Sequence, residues 1–292
     1  MSNPLSELSK AIRSAVRAAA PSVVRVEAGR WSGSTGVVWS ADGQIITAAH
    51  TLKRSDVHIT LAGGREVAAA VVGRDPATDL ALLKAEATDL DAPDWDEGEL
   101  EVGQVVLALG WPGKAVRATM GILSNLGGEW RTPAGGRLER YIQPDLTLYP
   151  GFSGGPLISG EGRFLGLNTR GLRRDVALTL PPATLRRVVE RLQKHGSAGR
   201  PYLGISAQPV RLPEGQGQPS GLMVVGLEPA APAARAGLLM GDILLRLDTA
   251  ALHRMEDLLS ALSEHAAGTQ VHFALLRGGK AQEVAVTLGE RE

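Results

Sequence analysis

The spacing of hydrophobic positions changes several times along the chain and divides it into segments. Near the start they recur every three or four residues, as on one face of a helix: Leu5, Leu8, Ile12, Val16 and Ala19. Asn3 followed by Pro4 is typical of a helix start, and Pro21 is typical of an end. We therefore predict an amphipathic helix within residues 1–20.

From residue 21 onward, short runs of hydrophobic and β-branched residues alternate with Gly, Asp and Pro. VVRV, TGVVW, QIITAA, VHITL, LALLK and QVVLAL are examples, and about a dozen such runs precede residue 181. This texture predicts an all-β barrel or sandwich. Helical spacing returns at the end of the segment, at Leu185, Val188, Val189 and Leu192. We predict one mainly β domain over residues 21–194.

A smaller domain of mixed character follows. The run HGSAGR at 195–200 is typical of a linker, and residues 201–292 combine strand-like runs with two helical ones, APAARAGL and MEDLLSALSEHA. The polar segment RLPEGQGQP at 211–219 predicts a loop. Residues 201–292 are therefore expected to form a small α+β domain.

Composition excludes several classes of protein. With 31 basic and 31 acidic residues the formal net charge is +0, so no electrostatic footprint for nucleic acid is present. The absence of cysteine excludes disulfides, thiolate metal sites and cysteine nucleophiles. No apolar run approaches the roughly 18 residues of a membrane span, and none resembles a signal peptide. If Met1 is the native start, a cytoplasmic location is expected.

Three polar residues stand where catalytic groups of a serine hydrolase would be placed. Ser153 lies in GFSGGP, where small neighbours allow a tight turn and leave a hydroxyl beside free N–H groups. His50 ends the run QIITAAH, and Asp79 precedes LALLK, so both lie where a strand meets a loop. Alone, each is more often a turn, cap or structural residue. Together, in the order His, Asp, Ser, they match one known arrangement of a catalytic triad.

The strings TAAH, DPATDLALLK and YPGFSGGPLISGEGRFLGLNT resemble the catalytic segments of the HtrA (Deg) branch of trypsin-like serine proteases. The resemblance continues through YLGI and EPAAPAARAGLLMGDILLRLD, which are similar to the family's PDZ domain. It implies two six-stranded antiparallel β-barrels, with the active site between them, followed by one PDZ domain. It favours Asp79 over the other candidate acid, Asp75.

The resemblance also implies roles for residues around the triad. His50 would be the general base, Asp79 its orienting carboxylate and Ser153 the nucleophile, with an oxyanion hole formed by the N–H groups of Gly151 and Ser153. The geometry of the specificity pocket is not carried over from the family. Because Thr147 and Leu148, and not an acid, precede the oxyanion loop, and Leu167 and Leu178 flank the neighbouring strands, an uncharged pocket suited to aliphatic residues is expected there. A loop that binds a peptide's terminal carboxylate is expected at Tyr202, Leu203, Gly204 and Ile205. The expected partners are unfolded polypeptides or peptide C-termini, and no metal or organic cofactor is implied.

Departures from the family pattern leave some expectations open. Phe152 and Tyr149 stand where the family usually has asparagine. Members commonly trimerise through aromatic residues near the start of the protease domain, but residues 1–30 contain none, so a homo-oligomer, a trimer, is only implied by the resemblance. Most members are extracytoplasmic. A catalytically silent scaffold or chaperone and a pure PDZ adaptor are the alternatives, and the complete triad favours the active endopeptidase.

Overall fold

The computed structural model describes residues 3–28, 33–54, 56–173, 176–196, 200–213, 217–263, 265 and 267–291. Chain contacts divide it into two units, residues 1–132 with 137–197 and residues 198–292 with 133–136. The predicted linker 195–200 and loop 211–219 lie partly outside the described residues.

The chain opens with helix α1 (Pro4–Ala19). The Asn3 side chain accepts a hydrogen bond from the Leu5 N–H at 3.0 Å, and Pro4 occupies the first turn, as the sequence predicts. Only the second half of the predicted apolar face is covered. Ala19 is buried and Ile12 and Val16 are partly buried against the core, whereas Leu5 and Leu8 are exposed.

The first sheet is a closed six-stranded barrel with strand order β1-β2-β3-β6-β5-β4. Its strands are β1 (Val23–Glu27), β2 (Ser34–Ser40), β3 (Gln44–Ala48), β4 (Val57–Thr60), β5 (Glu66–Asp75) and β6 (Leu80–Ala85). All its neighbouring strands are antiparallel. Alternating side chains such as Val24, Ile45 and Leu83 fill the interior.

The second sheet has six antiparallel strands in the order β11-β8-β7-β12-β13-β14, and its terminal strands lie in contact. The strands are β7 (Val105–Gly110), β8 (Arg117–Gly127), β11 (Tyr141–Asp145), β12 (Pro156–Ser159), β13 (Phe164–Thr169) and β14 (Leu178–Leu180). A small ladder that the sequence did not predict joins β9 (Trp130–Arg131) to β10 (Arg137–Leu138). The predicted dozen strands and mainly β architecture are confirmed.

One hydrophobic cluster joins the two sheets. It contains Ile46 and Leu82 of the barrel, Leu109 and Leu167 of the second sheet, and residues of helix α2 (Pro182–His195). The predicted helical face of Leu185, Val188, Val189 and Leu192 is fully buried in it. This shared core fixes the ends of β3 and β6 relative to the loop between β11 and β12.

The second unit has its own core. Its sheet contains β16 (Ile205–Arg211), β17 (Ser220–Leu227), β18 (Ile243–Leu247), β19 (Ala250–Ala251), β20 (Gln270–Arg277) and β21 (Lys280–Thr287). A two-stranded sheet pairs β15 (Arg200–Tyr202) with β22 (Gly289–Arg291), and the helices are α3 (Pro232–Arg235) and α4 (Met255–Ser263). Buried Leu222, Leu258 and Phe273 belong to this core, so the unit has the predicted small α+β character.

Candidate active site

His50 and Asp79 meet where two neighbouring barrel strands border a loop. His50 lies in a single helical turn after β3, and Asp79 lies directly before β6. His50 Nδ1 is 2.7 Å from Asp79 Oδ2, and the His50 N–H donates to Asp79 Oδ1 at 2.8 Å. An ionised carboxylate can only accept, so Nδ1 carries the proton of a neutral ring. Nε2 then has a free lone pair and can act as a base.

Asp79 is held in an uncommon backbone conformation. Its φ is +58°, in the left-handed region, and its carbonyl accepts a hydrogen bond from the Ala49 N–H at 3.0 Å. Its side chain is buried. Aspartate tolerates this region better than most residues, and strained positions of this kind cluster at functional sites.

Thr169 is a third member of this network, and the sequence reasoning missed it. Its hydroxyl donates to Asp79 Oδ2, and the same hydroxyl oxygen accepts the Gly171 N–H at 2.8 Å. A Cβ on Gly171 would collide with the Asp79 carboxylate and His50 Nδ1, so a side chain is excluded there. The only available signal was the position of Thr169 at the end of the strand-like run RFLGLNT.

Asp75, the other candidate acid, is engaged elsewhere. Its Oδ2 accepts hydrogen bonds from Thr78 Oγ1 at 2.7 Å and from Arg191 of α2 at 2.6 Å. Its Oδ1 accepts the Ala77 N–H at 3.1 Å. Asp75 therefore shapes the turn that presents Asp79 and ties that turn to α2.

Ser153 lies in the loop between β11 and β12, beside the end of β3. The next residue, Gly154, has φ of +87°, and its Cα faces Thr35, Thr47 and Ala48 so closely that no side chain fits. This contact places the Ser153 loop against Ala48, which lies two residues before His50 in the chain. Within the described part of the chain, Ser153 Oγ has no hydrogen-bond partner. Catalytic hydrogen bonds are often long in unliganded enzymes and tighten in the substrate complex.

The turn that carries Ser153 has two backbone N–H groups, those of Gly151 and Ser153 itself, that face no acceptor in the described part of the chain. Among the described residues, neither Gly151 N–H nor Ser153 N–H has an acceptor, whereas the intervening Phe152 N–H donates to Tyr149 O at 3.0 Å. Gly151 has φ of +85°, which favours glycine. Two unpaired donors on one turn are what stabilisation of an oxyanion requires.

In the second unit, the loop from Tyr202 to Gly204 presents two further free amides. Leu203 N–H and Gly204 N–H have no acceptor within the described residues, while their carbonyls accept from Ala233 and Glu228 at 3.0 and 2.9 Å. The Tyr202 hydroxyl donates to the Glu228 carboxylate. The strand that begins at Ile205, β16, lies at the edge of its sheet. Free amides beside an open strand edge suit a peptide that ends in a carboxylate.

Comparison with known proteins agrees with both units. Residues 34–167 match the family model described as a trypsin-like peptidase domain, and residues 201–288 match the PDZ domain. The crystal structure of the serine endoprotease from Yersinia pestis is 30% identical, with a TM-score of 0.75, and the match covers 96% of this chain and 98% of that one. The structure of the HtrA-type protease AlgW with tripeptide is 32% identical, with a TM-score of 0.70, covering 96% and 97%.

The chain belongs to the HtrA family of trypsin-like serine proteases.

This chain also matches longer proteins. It is 34% identical to a probable periplasmic serine endoprotease, DegP-like, of Halomonas elongata, over 89% of this chain and 57% of the relative. Protease Do-like 1, chloroplastic, of Arabidopsis thaliana is 33% identical, over 94% and 67%. The chain thus spans little more than half of the DegP-like relative. In the described residues, no helix combines the length and apolarity needed to cross a bilayer.

Phe152 stands where the family resemblance predicts an asparagine, and its contacts in the structure are apolar. Its ring is fully buried in the core of the second sheet, against Gly110 and in edge contact with Tyr149, with ring centroids 5.9 Å apart. An apolar anchor therefore takes the place of a polar side chain between the two free amides.

The four residues predicted to form a specificity pocket lie in different surroundings. Thr147 is exposed, and Leu178 is buried on β14 opposite Thr169. Leu148 belongs to the core of the second sheet, whereas Leu167 belongs to the core shared by both sheets. The two leucines thus belong to different hydrophobic clusters, and the pocket stays a prediction. Arg170 Nη1 donates to the Leu148 carbonyl at 3.3 Å, which places an arginine beside the predicted pocket.

Proposed function

We propose that this chain is a serine endopeptidase that cleaves unfolded or misfolded polypeptides through an acyl-enzyme. The observation that carries the proposal is the His50–Asp79–Thr169 network next to a turn with two free amides around Ser153. Ser153 is the nucleophile, His50 the general base, and Asp79 the carboxylate that orients it. The family membership supports the same assignment.

The chemistry needs only groups that the chain supplies. Ser153 Oγ attacks the scissile carbonyl while its proton moves to His50 Nε2, and the carbonyl oxygen becomes an anion bound by Gly151 N–H and Ser153 N–H. His50 then gives the proton to the leaving amine as the C–N bond breaks. Water, activated by His50, hydrolyses the resulting ester and restores Ser153. Asp79 stabilises the imidazolium in both steps.

The second unit would bind the C-terminus of a polypeptide. Leu203 N–H and Gly204 N–H would receive the carboxylate, and the open edge of β16 would pair with the preceding peptide backbone. Binding there would act in one of two ways. It would raise the local concentration of the bound chain near the protease, which we call tethering, or it would shift the turn at 150–153 toward its competent state.

Cleavage of casein, an unfolded chain, tests the peptidase proposal. Wild-type protein should cleave casein and react with a fluorophosphonate probe, and Ser153→Ala should abolish both while it still binds casein. Ser159→Ala is the matched control, because Ser159 is also buried but its hydroxyl bonds to Glu161. If labelling survives Ser153→Ala on folded protein, the nucleophile is misassigned. Casein binding without cleavage by the wild type would favour the scaffold.

A pair of reporter substrates tests the role of the second unit. One reporter ends in a hydrophobic residue with a free carboxylate, and the other carries the same end as an amide. Tethering predicts faster cleavage of the carboxylate form only, whereas a population shift predicts that a separate uncleaved peptide accelerates both reporters. Equal rates with no effect of free peptide would reject any coupling.

The oligomeric state and the cellular location are two further predictions. A trimer is expected from the family resemblance, and light scattering of purified protein measures the oligomer. The cytoplasmic location depends on Met1 as native start, whereas relatives are named as periplasmic; cell fractionation decides between the compartments.

A further inference from the structure

Thr35 of β2 contacts the turn that carries Ser153, and it does so through both its side-chain hydroxyl and its backbone N–H. The Thr35 hydroxyl donates to the Gly151 carbonyl at 2.6 Å, and the Thr35 N–H donates to the Ser153 carbonyl at 3.4 Å. The hydroxyl oxygen also accepts the Trp111 N–H at 2.7 Å. Thr35 is completely buried, and these bonds join the barrel to the second sheet.

The two carbonyls that Thr35 holds flank the free amide of Ser153. The peptide between Gly151 and Phe152 is fixed at both ends, since Thr35 binds its carbonyl and Tyr149 O binds its N–H. The peptide between Ser153 and Gly154 is fixed in the same way, by Thr35 N–H and by Asn168 O. With these two peptides held, the N–H groups of Gly151 and Ser153 are left without an acceptor among the described residues.

The hydroxyl bond matters because without it only the bond from Phe152 N–H to Tyr149 O would hold the peptide that follows Gly151. Glycine populates positive and negative φ about equally, so the sequence does not by itself fix the orientation of the peptides on either side of Gly151. A donor buried on a rigid strand fixes that orientation. Thr35 is itself held, because Thr47 Oγ1 donates to the Thr35 carbonyl at 2.7 Å.

We propose that Thr35 is a positioning residue for the oxyanion hole. Its hydroxyl keeps the hole formed in the absence of any ligand. This inference rests on the proposed peptidase activity. Thr35 touches no substrate atom in this role, and it acts through the Gly151 carbonyl. Its loss should therefore weaken stabilisation of the tetrahedral intermediate rather than the proton transfer by His50.

The test compares Thr35→Val, which keeps the shape of the side chain, with Thr35→Ser, which keeps the hydroxyl. Thr184→Val is the matched control, because Thr184 is equally buried and hydrogen-bonded but lies on α2, where it contacts Glu139. Two quantities are measured for each variant: kcat/KM on a peptide reporter, and the affinity for a peptide boronate. The boronate forms a tetrahedral adduct with Ser153 Oγ, and one of its oxygens occupies the hole.

Removing an oxyanion donor outright lowers kcat by about 10²–10³-fold, so loss of a residue that positions one should cost about 10–100-fold. We expect Thr35→Val to lose this factor in both kcat/KM and boronate affinity, and Thr35→Ser and Thr184→Val to stay near wild type. A raised KM with an unchanged boronate affinity would indicate that Thr35 has a merely structural role.

Folded Thr35→Val with wild-type boronate affinity would overturn the inference, as would a Thr35→Ser variant as impaired as Thr35→Val. If Thr35→Val does not fold, Thr35→Cys replaces it, because a thiol is a weak donor of similar size. The inference then requires Thr35→Cys to have a lower kcat/KM and a lower boronate affinity than Thr35→Ser. A wild type that neither cleaves the reporter nor binds boronate would instead refute the proposed function.

Discussion

Two aspartates four residues apart should respond in opposite ways to the same substitution. Asp79 bonds to His50 through both carboxylate oxygens, whereas Asp75 bonds to Thr78, Ala77 and Arg191. Asparagine has nearly the shape of aspartate but no charge, so Asp79→Asn and Asp75→Asn compare a catalytic with a structural carboxylate.

Asp79→Asn should remove activity with little loss of fold. The asparagine amide can donate to His50 Nδ1, which reverses the tautomer and leaves Nε2 protonated and unable to act as base. In the serine protease whose triad defines this mechanism, the same change lowers kcat by about 10⁴-fold, or about 5.5 kcal/mol of transition-state stabilisation. We expect a loss of this order here.

Asp75→Asn should remove stability with little loss of activity. Removing one partner from a fully buried ion pair costs about 3–5 kcal/mol. The Arg191 side chain is 25% exposed, and asparagine can still accept from Ala77 or Thr78, so about 2–3 kcal/mol is expected. For a unit of this size, about 2–4 °C of melting temperature per kcal/mol gives a decrease of about 4–12 °C.

The assay measures reporter cleavage at a temperature well below the melting transition of each variant, together with the transition itself. The assignment predicts a folded, inactive Asp79→Asn and a less stable, active Asp75→Asn. The opposite result would show that the catalytic acid is Asp75: a folded Asp75→Asn that has lost most of its kcat, together with an Asp79→Asn whose kcat is near that of the wild type.

Three other predictions address His50, Phe152 and the second unit. His50→Ala should abolish reporter cleavage by a folded protein, because the Ser153 proton then has no base to accept it, and a folded variant with near wild-type kcat/KM would contradict the role of His50 as base. Phe152→Ala should destabilise the first unit by about 3–5 kcal/mol, measured by denaturant unfolding, since a fully buried ring is removed; a loss below 1 kcal/mol would reject its role as an anchor. Burial raises the pKa of Asp242, but hydrogen bonds from Arg277 outweigh it and hold that pKa below its ordinary 3.8. A lowered folded pKa gives stability that is complete above about pH 4 and is lost as the pH falls through the lowered value. Asp242→Asn should therefore remove part of the acid sensitivity of the second unit's melting temperature, and an unchanged pH dependence would count against the pair.

Much of the architecture could be predicted from the sequence because it depends on local periodicity. Alternating β-formers, such as those of QIITAA and LALLK, became strands, and the helical spacing of Leu185, Val188, Val189 and Leu192 became the buried face of α2. The family strings pointed to His50, Asp79 and Ser153, and the structure places His50 against Asp79.

The apolar face of α1 shows the limit of periodicity. The pattern continues to Leu5, but Leu5 and Leu8 in the first turns of the helix are exposed. Periodicity states which residues share a face, and only tertiary contacts decide whether that face is buried.

The sequence alone determined the candidate triad and the two-domain pattern, because both depend on residue types and their spacing. Only the tertiary structure decided which side chains and backbone groups are hydrogen-bonded to the candidate site. Thr169 reaches Asp79 across 90 residues and Thr35 reaches Gly151 across 116, and no local pattern marks either threonine, because each reads as an ordinary β-former. A hydroxyl finds its partner only when strands from the two sheets are packed together.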